Sequence, residues 1–236
     1  SDKMVLTLSL LDGIFIWLFL WFLFWGVFDY YLRPRGVDYT THYVVTSVYF
    51  LAAAAIITHL FWDYFRGLII GFSSMPVYAL GVALIFDAAL YFFVNRYKEI
   101  SDFIYSHRQT PFLLMDYRYI VAKLSNIVFQ QSLIILLALL LANNGFRMSG
   151  ITVAFTILFV LGHIPMLQLN GRGIGSFFIV AAACAALFFP FLILSVPYGF
   201  VYTFIIHQVF YMLSGLFSWF YFKKMDGDIA RRREVL

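Results

Sequence analysis

Five polar residues that can take part in chemistry lie inside long apolar runs of the sequence. They are Asp87, Gln130, Gln131, His163 and His207. An ionisable residue deep in a membrane span is by default a functional-site hypothesis, because lipid solvates polar groups poorly. A carboxylate can take up a proton, and an imidazole can orient a water molecule or bind a cation. The five residues therefore predict a polar cavity inside a membrane protein.

The elements that must position these residues are membrane-spanning helices. Of the 236 residues, 63% are hydrophobic and 12% are charged, whereas about 25% of a soluble domain is charged. The apolar runs are much longer than the roughly 10 residues of a barrel strand. The composition predicts an all-α fold, a polytopic transmembrane helical bundle. Seven spans are predicted, at 5–32, 43–62, 76–95, 119–142, 150–168, 175–195 and 198–222.

The distribution of Lys and Arg predicts the orientation of the chain in the membrane. Twelve of these residues fall in loops on one side of the seven-span arrangement and three on the other. Because basic loops stay in the cytoplasm, we expect an external N-terminus and a cytoplasmic C-terminus, in a prokaryotic cytoplasmic membrane. An eight-span arrangement, with one run split or re-entrant, is the alternative. The basic charge follows from topology, so no nucleic-acid partner is expected.

The depths of the five polar residues are similar. At about 1.5 Å of rise per residue, they fall within roughly 10 Å of one level. Taken singly, Gln and His in membrane helices most often hydrogen-bond to a neighbouring helix. Asp87 must be paired, wetted or protonated. With no Lys or Arg expected at its depth, the predicted partners are His163, His207 or water, and a neutral Asp87 is the other prediction.

The order of the polar residues along the chain forms a recognisable pattern. Phe159 and His163 give an F-x-x-x-H sequence late in one span. The pair Gln130-Gln131 lies in the span before it, and His207 lies in a later span. This order resembles the CAAX-prenyl-protease and bacteriocin-processing (CPBP) family of intramembrane proteases. That family carries E-E-x-x-x-R, F-x-x-x-H and H-x-x-x-N on successive helices.

The resemblance covers about residues 119–222 and implies specific roles. In the family, the first glutamate and the histidines activate a water for peptide hydrolysis, with or without a metal. On this chain the glutamate positions are Gln130 and Gln131. The histidine positions are His163 and His207, which would also be the candidate ligands of a divalent metal such as Zn²⁺.

This chain departs from the family pattern at four positions. Both glutamates are glutamines, the arginine position is Ile135 and the final asparagine position is Tyr211. A glutamine amide cannot act as a general base. We therefore expect a protein that has lost the protease chemistry and needs no cofactor. Its cavity would be lined by Asp87, Gln130, His163, His207 and Tyr211.

The predicted organisation has three parts. Residues 1–118 form variable N-terminal spans and a cytoplasmic connector, 119–222 a CPBP-like four-helix core, and 223–236 a basic cytoplasmic tail. The predicted function is a non-catalytic binding or assembly subunit, in contact with the lipid bilayer, for a hydrophobic peptide, a lipidated segment or another membrane protein. The alternatives are a transporter or small-ligand subunit that uses Asp87, His163 and His207, and a residual intramembrane hydrolase.

Overall fold

The architecture of the protein is given by a computed structural model that describes residues 9–69, 74–96, 116–169 and 171–234. Within these ranges the regular structure is entirely helical, which confirms the all-α prediction. The helices are α1 (Leu10–Gly26), α2 (Tyr43–Leu60), α3 (Trp62–Ile69), α4 (Met75–Arg96), α5 (Tyr117–Asn143), α6 (Met148–His163), α7 (Met166–Leu169), α8 (Gly171–Ser195) and α9 (Gly199–Glu234).

Seven segments of the described chain are long and apolar enough to cross a membrane. They are Leu10–Arg35, Tyr43–Leu60, Met75–Phe93, Tyr117–Asn143, Met148–Leu169, Gly171–Ser195 and Gly199–Ser218. They coincide with the seven predicted spans to within a few residues at most ends. The protein is therefore an integral membrane protein built as a multi-pass helical bundle. Its spans contact the lipid bilayer.

The first span differs from its predicted end before Arg33. A π-helical segment, Val27–Leu32, follows α1, and a 3₁₀ turn, Arg33–Arg35, follows that. Arg33 lies 3.4 Å from the Asp29 carboxylate one turn earlier, which supports continued helix. Proline is tolerated in the first turn of a helical segment, and the turn ends at Gly36 with a left-handed φ of 88°. The turn signal therefore ends the helix three residues later than predicted.

Helix α5 is the centre of the bundle. In its apolar window 83% of residues are buried, against 17–33% in the other spans. It packs against α1, α2, α6, α8 and α9. Leu133, Ile134 and Leu136 are fully buried in its middle. Because α5 is enclosed by other helices, its polar residues must find partners inside the protein.

Helix α4 lies at the edge of the bundle. Among helix pairs with more than marginal contact in the described chain, α4 packs only against α9. Helix α9 continues to Glu234, so most of the predicted tail is an extension of the last span. Residues 97–115, most of the predicted connector, lie outside the described residues.

Candidate functional site

The F-x-x-x-H pattern is a real contact within α6. The Nδ1 atom of His163 lies 2.7 Å from the carbonyl oxygen of Phe159, one turn earlier. The two rings meet edge to face with centroids 4.5 Å apart, and Trp21 of α1 covers another side at 5.4 Å. Because a carbonyl only accepts, Nδ1 carries the hydrogen, and Nε2 of His163 is left as an acceptor.

His207 is positioned by Gln131, whereas Gln130, the residue expected beside the histidines, does not line their cavity. Gln131 Nε2 lies 3.2 Å from both His207 Nδ1 and the Thr203 carbonyl oxygen. The Thr203 hydroxyl donates to Gln131 Oε1 at 3.3 Å. These bonds use both N–H groups of the amide, so His207 Nδ1 accepts and its Nε2 carries the ring hydrogen.

Both histidines line a single cavity of about 220 Å³, which we name the histidine cavity. Tyr211 is also in its wall, with its ring stacked on His207 at 5.3 Å. The rest of the wall is aromatic or aliphatic and comes from α6, α8 and α9. It consists of Phe159, Phe178, Ala181, Ala182, Cys184, Ala185, Phe188, Phe189, Ile206 and Phe210. The structure thus places His163, His207 and Tyr211 in the wall of one cavity.

The histidine cavity opens towards the lipid. Cys184, Phe188 and Ile206 are part of its wall and are also exposed on the surface of the bundle, Phe188 by 43% and Ile206 by 39%. These residues lie on α8 and α9 within membrane-spanning segments. A ligand can therefore enter sideways from the bilayer.

Gln130 does not line the histidine cavity but belongs to a buried polar row on α5 that meets the cavity wall at Tyr211, to which Gln130 hydrogen-bonds. Its Nε2 donates to Asn126 Oδ1 at 2.7 Å, and Lys123 Nζ donates to the same oxygen at 2.9 Å. Lys123 also lies 3.8 Å from the centre of the Tyr211 ring, a cation–π distance. Lys123 is only 3% exposed. Lys123 and Asn126 lie near the start of α5, and their spacing from Gln130 places all three on one helix face.

Asp87 corrects one prediction. Its partner is neither His163 nor His207 but Gln208, whose Nε2 donates to Asp87 Oδ2. Asp87 is not among the residues that line the histidine cavity. Gln208 follows His207 directly on α9, and successive residues of a helix point about 100° apart. The two side chains therefore serve different sides of the same helix.

A second cavity lies on the other side of His163. Its volume is also about 220 Å³, and its wall includes Trp21, Trp25, Asp29 and His163. The indole N–H of Trp21 donates to the Gly162 carbonyl at 3.0 Å. The indole N–H of Trp25 is buried and has no hydrogen-bond partner. His163 thus forms a wall between two internal spaces.

The histidine cavity has too few ligands to form a metal site. Zinc sites in enzymes use three protein ligands and one open position. Within the described residues no group of three His, Cys, Asp or Glu side chains is placed to hold a metal ion. Two imidazoles without a carboxylate do not meet that requirement, and we derive no step through a metal.

Comparison of the chain with known protein families, with curated proteins and with solved structures gives no match. The chemistry of the site therefore has to be argued from the residues of this chain.

Proposed function

We propose that the protein is a non-catalytic, CPBP-like membrane protein that binds a hydrophobic peptide or a lipidated segment in the histidine cavity. The observation that carries the proposal is the composition of the cavity wall: two histidines and a tyrosine in an otherwise apolar, largely aromatic surround. Small-molecule sites are commonly apolar cavities with a few well-placed polar groups.

The lack of a base supports binding rather than hydrolysis. Peptide hydrolysis needs a group that takes a proton from the attacking water. The residue that touches His207 is the amide of Gln131, which is already committed to Thr203 and His207. The described wall of the cavity holds no Asp or Glu. Gln131 therefore holds His207 in place and does no proton chemistry.

The size and mouth of the cavity favour a lipid-borne ligand. A dry apolar cavity of about 150 Å³ takes up benzene, so a cavity of about 220 Å³ holds somewhat more, such as a large apolar side chain or part of an isoprenoid chain. Its mouth lies among lipid-facing residues of α8 and α9. A ligand that enters there is already dissolved in the membrane.

The ring nitrogens of the two histidines favour a ligand that carries both a hydrogen-bond donor and an acceptor. The hydrogen bonds of His163 leave Nε2 as an acceptor, and those of His207 leave Nε2–H as a donor. A secondary amide carries one donor and one acceptor, so a peptide bond complements this pair. The histidines therefore favour a peptide, with or without its lipid, over a plain hydrocarbon chain.

Cys184 at the mouth provides the test, since it is the only cysteine of the chain. The full-length protein in detergent micelles is labelled with an apolar maleimide, with and without a short apolar peptide that carries a farnesylated cysteine thioether. We expect the farnesylated peptide to slow labelling at least fivefold. The same peptide with S-methylcysteine in place of the farnesylated cysteine, and farnesol alone, show which part of the ligand is recognised.

Two substitutions on α8 test whether the ligand occupies the cavity itself. Ala185 lines the cavity, whereas the half-buried Ala183 does not. Ala185→Leu should fill part of the space and abolish protection of Cys184, while Ala183→Leu should leave protection as in the unmodified chain. Equal protection in both variants, or no protection by any of the three probes in the unmodified chain, would overturn the proposal.

A further inference from the structure

The pair formed by Asp87 and Gln208 has a hydrogen-bond deficit. Gln208 Nε2 donates to Asp87 Oδ2 across the contact between α4 and α9. Asp87 Oδ1 and Gln208 Oε1 are both buried and have no hydrogen-bond partner. Asp87 is 5% exposed and Gln208 is 1% exposed. Two buried acceptors therefore face a shortage of protein donors.

The deficit does not depend on which way the amide is drawn. A primary amide has one acceptor oxygen and one donor nitrogen, and an ionised carboxylate has acceptors only. If the amide is turned over, its oxygen faces one carboxylate oxygen and its nitrogen the other, so one oxygen–oxygen contact still lacks a hydrogen. A single proton on Asp87 supplies it. The acid then donates to Gln208 Oε1 while Gln208 Nε2 donates back.

Among the described residues, Asp87 receives a hydrogen bond from Gln208 at Oδ2 and none at Oδ1. Helix α9 presents Gln208 to Asp87. Beyond Gln208 lies a space of about 20 Å³ between α5 and α9, lined by Lys123, Tyr119 and Tyr211 among others. That space is large enough for one water, which can serve Gln208. Asp87 does not line it, so a water there leaves Asp87 Oδ1 without a donor.

We propose that Asp87 is a proton-binding site, a neutral carboxylic acid closed into a ring of two hydrogen bonds with the Gln208 amide. The proton makes the pair electrically neutral inside the membrane, where a charged carboxylate is costly. Helix α4 has no other substantial partner in the described chain than α9. The proton therefore holds α4 against the rest of the bundle, and its loss releases α4.

Infrared spectroscopy of the full-length protein in phosphatidylcholine vesicles tests the protonation directly. The spectrum of the unmodified chain minus that of Asp87→Asn should show the C=O stretch of a protonated carboxyl group at neutral pH. In Gln208→Leu the band should persist but move to higher frequency, because the acid has lost its hydrogen-bonded partner. A difference spectrum with carboxylate bands alone at neutral pH would overturn the proposal.

Hydrogen exchange tests the docking of α4. Asparagine at position 87 can form the same ring with Gln208, donor for donor and acceptor for acceptor. At alkaline pH the α4 amides of the unmodified chain should exchange at least tenfold faster than those of Asp87→Asn at the same pH, with α5 unchanged. Asp63→Asn, a change at an exposed carboxylate beside Arg66, is the control and should behave like the unmodified chain. Equal α4 exchange in the unmodified chain and in Asp87→Asn at every pH would contradict the coupling.

Discussion

Two successive residues of α9, His207 and Gln208, face two regions with different hydrogen-bond balance. His207 faces the core, where the Gln131 amide, itself bonded to Thr203, holds its Nδ1 atom. Its Nε2–H is left for the histidine cavity. Gln208 faces the edge of the bundle, where its pair with Asp87 leaves two buried oxygens unpaired. Both regions are polar, buried and built from the same kinds of residue.

The difference shows how structural polar residues are told apart from candidate sites in this bundle. The bonds that join Gln131, Thr203 and His207 Nδ1 balance donors with acceptors and link two helices, whereas the Nε2 atoms of the histidines are left for a ligand. A set with an excess of acceptors has to bind something, and here the missing group is a proton. Residue type and depth in the membrane do not make this distinction, whereas the count of bonds does.

The largest loss of stability should come from removing the Gln131 amide, which links α5 to α9 in the core. Gln131→Leu removes the partners of Thr203 and His207 at once. Interhelical hydrogen bonds in membranes average about 0.6 kcal/mol, and a buried polar group left unpaired costs about 1–3 kcal/mol. We expect the free energy of unfolding to fall by about 2–3 kcal/mol in mixed micelles with a denaturing detergent.

The control for Gln131→Leu lies on the same helix. Val128 of α5 is partly exposed to the membrane, and Val128→Leu should change the free energy of unfolding by less than about 0.5 kcal/mol. If the Gln131→Leu protein is as stable as the Val128→Leu protein, the hydrogen bonds of Gln131 contribute no more to the free energy of unfolding than a lipid-facing side chain does. The distinction between the two regions would then fail.

The next largest change in stability should come from substituting two glycines, one in the core and the other on α4. A Cβ atom on Gly162 would lie 3.0 Å from Cε2 and Nε1 of the Trp21 indole, whereas one on Gly81 would meet nothing within 4 Å. Gly162→Ala should lower the free energy of unfolding by about 1 kcal/mol, overpacking outweighing the gain in helix propensity. Gly81→Ala should raise it by about 0.5–1 kcal/mol.

The same unfolding titration measures both glycine variants. Gly162 also precedes His163, so displacement of Trp21 should weaken protection of Cys184 by the farnesylated peptide in Gly162→Ala only. If both variants are stabilised equally, the packing of α1 on α6 is loose, and the core is no more tightly built than the edge.

The sequence was a good guide to the helices and a partial guide to the site. Long apolar runs predict spans because every backbone polar group in lipid must be satisfied within the helix. His163 and His207 were placed in one cavity from depth and order, since these depend only on helix rise. The histidines proposed as partners of Asp87 are not its partners, because which faces meet depends on the rotation of each helix, and that is determined by packing.

Lys123 is a residue whose surroundings cannot be predicted from the local sequence. A lysine six residues after the start of α5 looks like an interfacial anchor, because long cationic side chains near helix ends reach the headgroups. In the structure its ammonium group instead lies between Asn126 and the ring of Tyr211. Tyr211 is a residue of α9 that no local pattern on α5 specifies. Contacts between residues distant in sequence therefore decide whether a polar group is buried or exposed.

A last comparison applies the same hydrogen-bond count to two tryptophans of α1. Trp21 donates its indole N–H to Gly162, and Trp25 has a buried N–H without a partner. Both changes to phenylalanine remove a similar volume, so the difference between them isolates the N–H group. Trp21→Phe loses a bond worth about 0.5–1.5 kcal/mol, whereas Trp25→Phe removes a donor that costs free energy as long as it is unpaired. We expect Trp21→Phe to be the less stable variant by about 1–2 kcal/mol in the same unfolding titration. Equal losses would show that the Trp25 N–H has an acceptor in the second cavity, and that cavity would then belong with Asp87 among the regions that bind something.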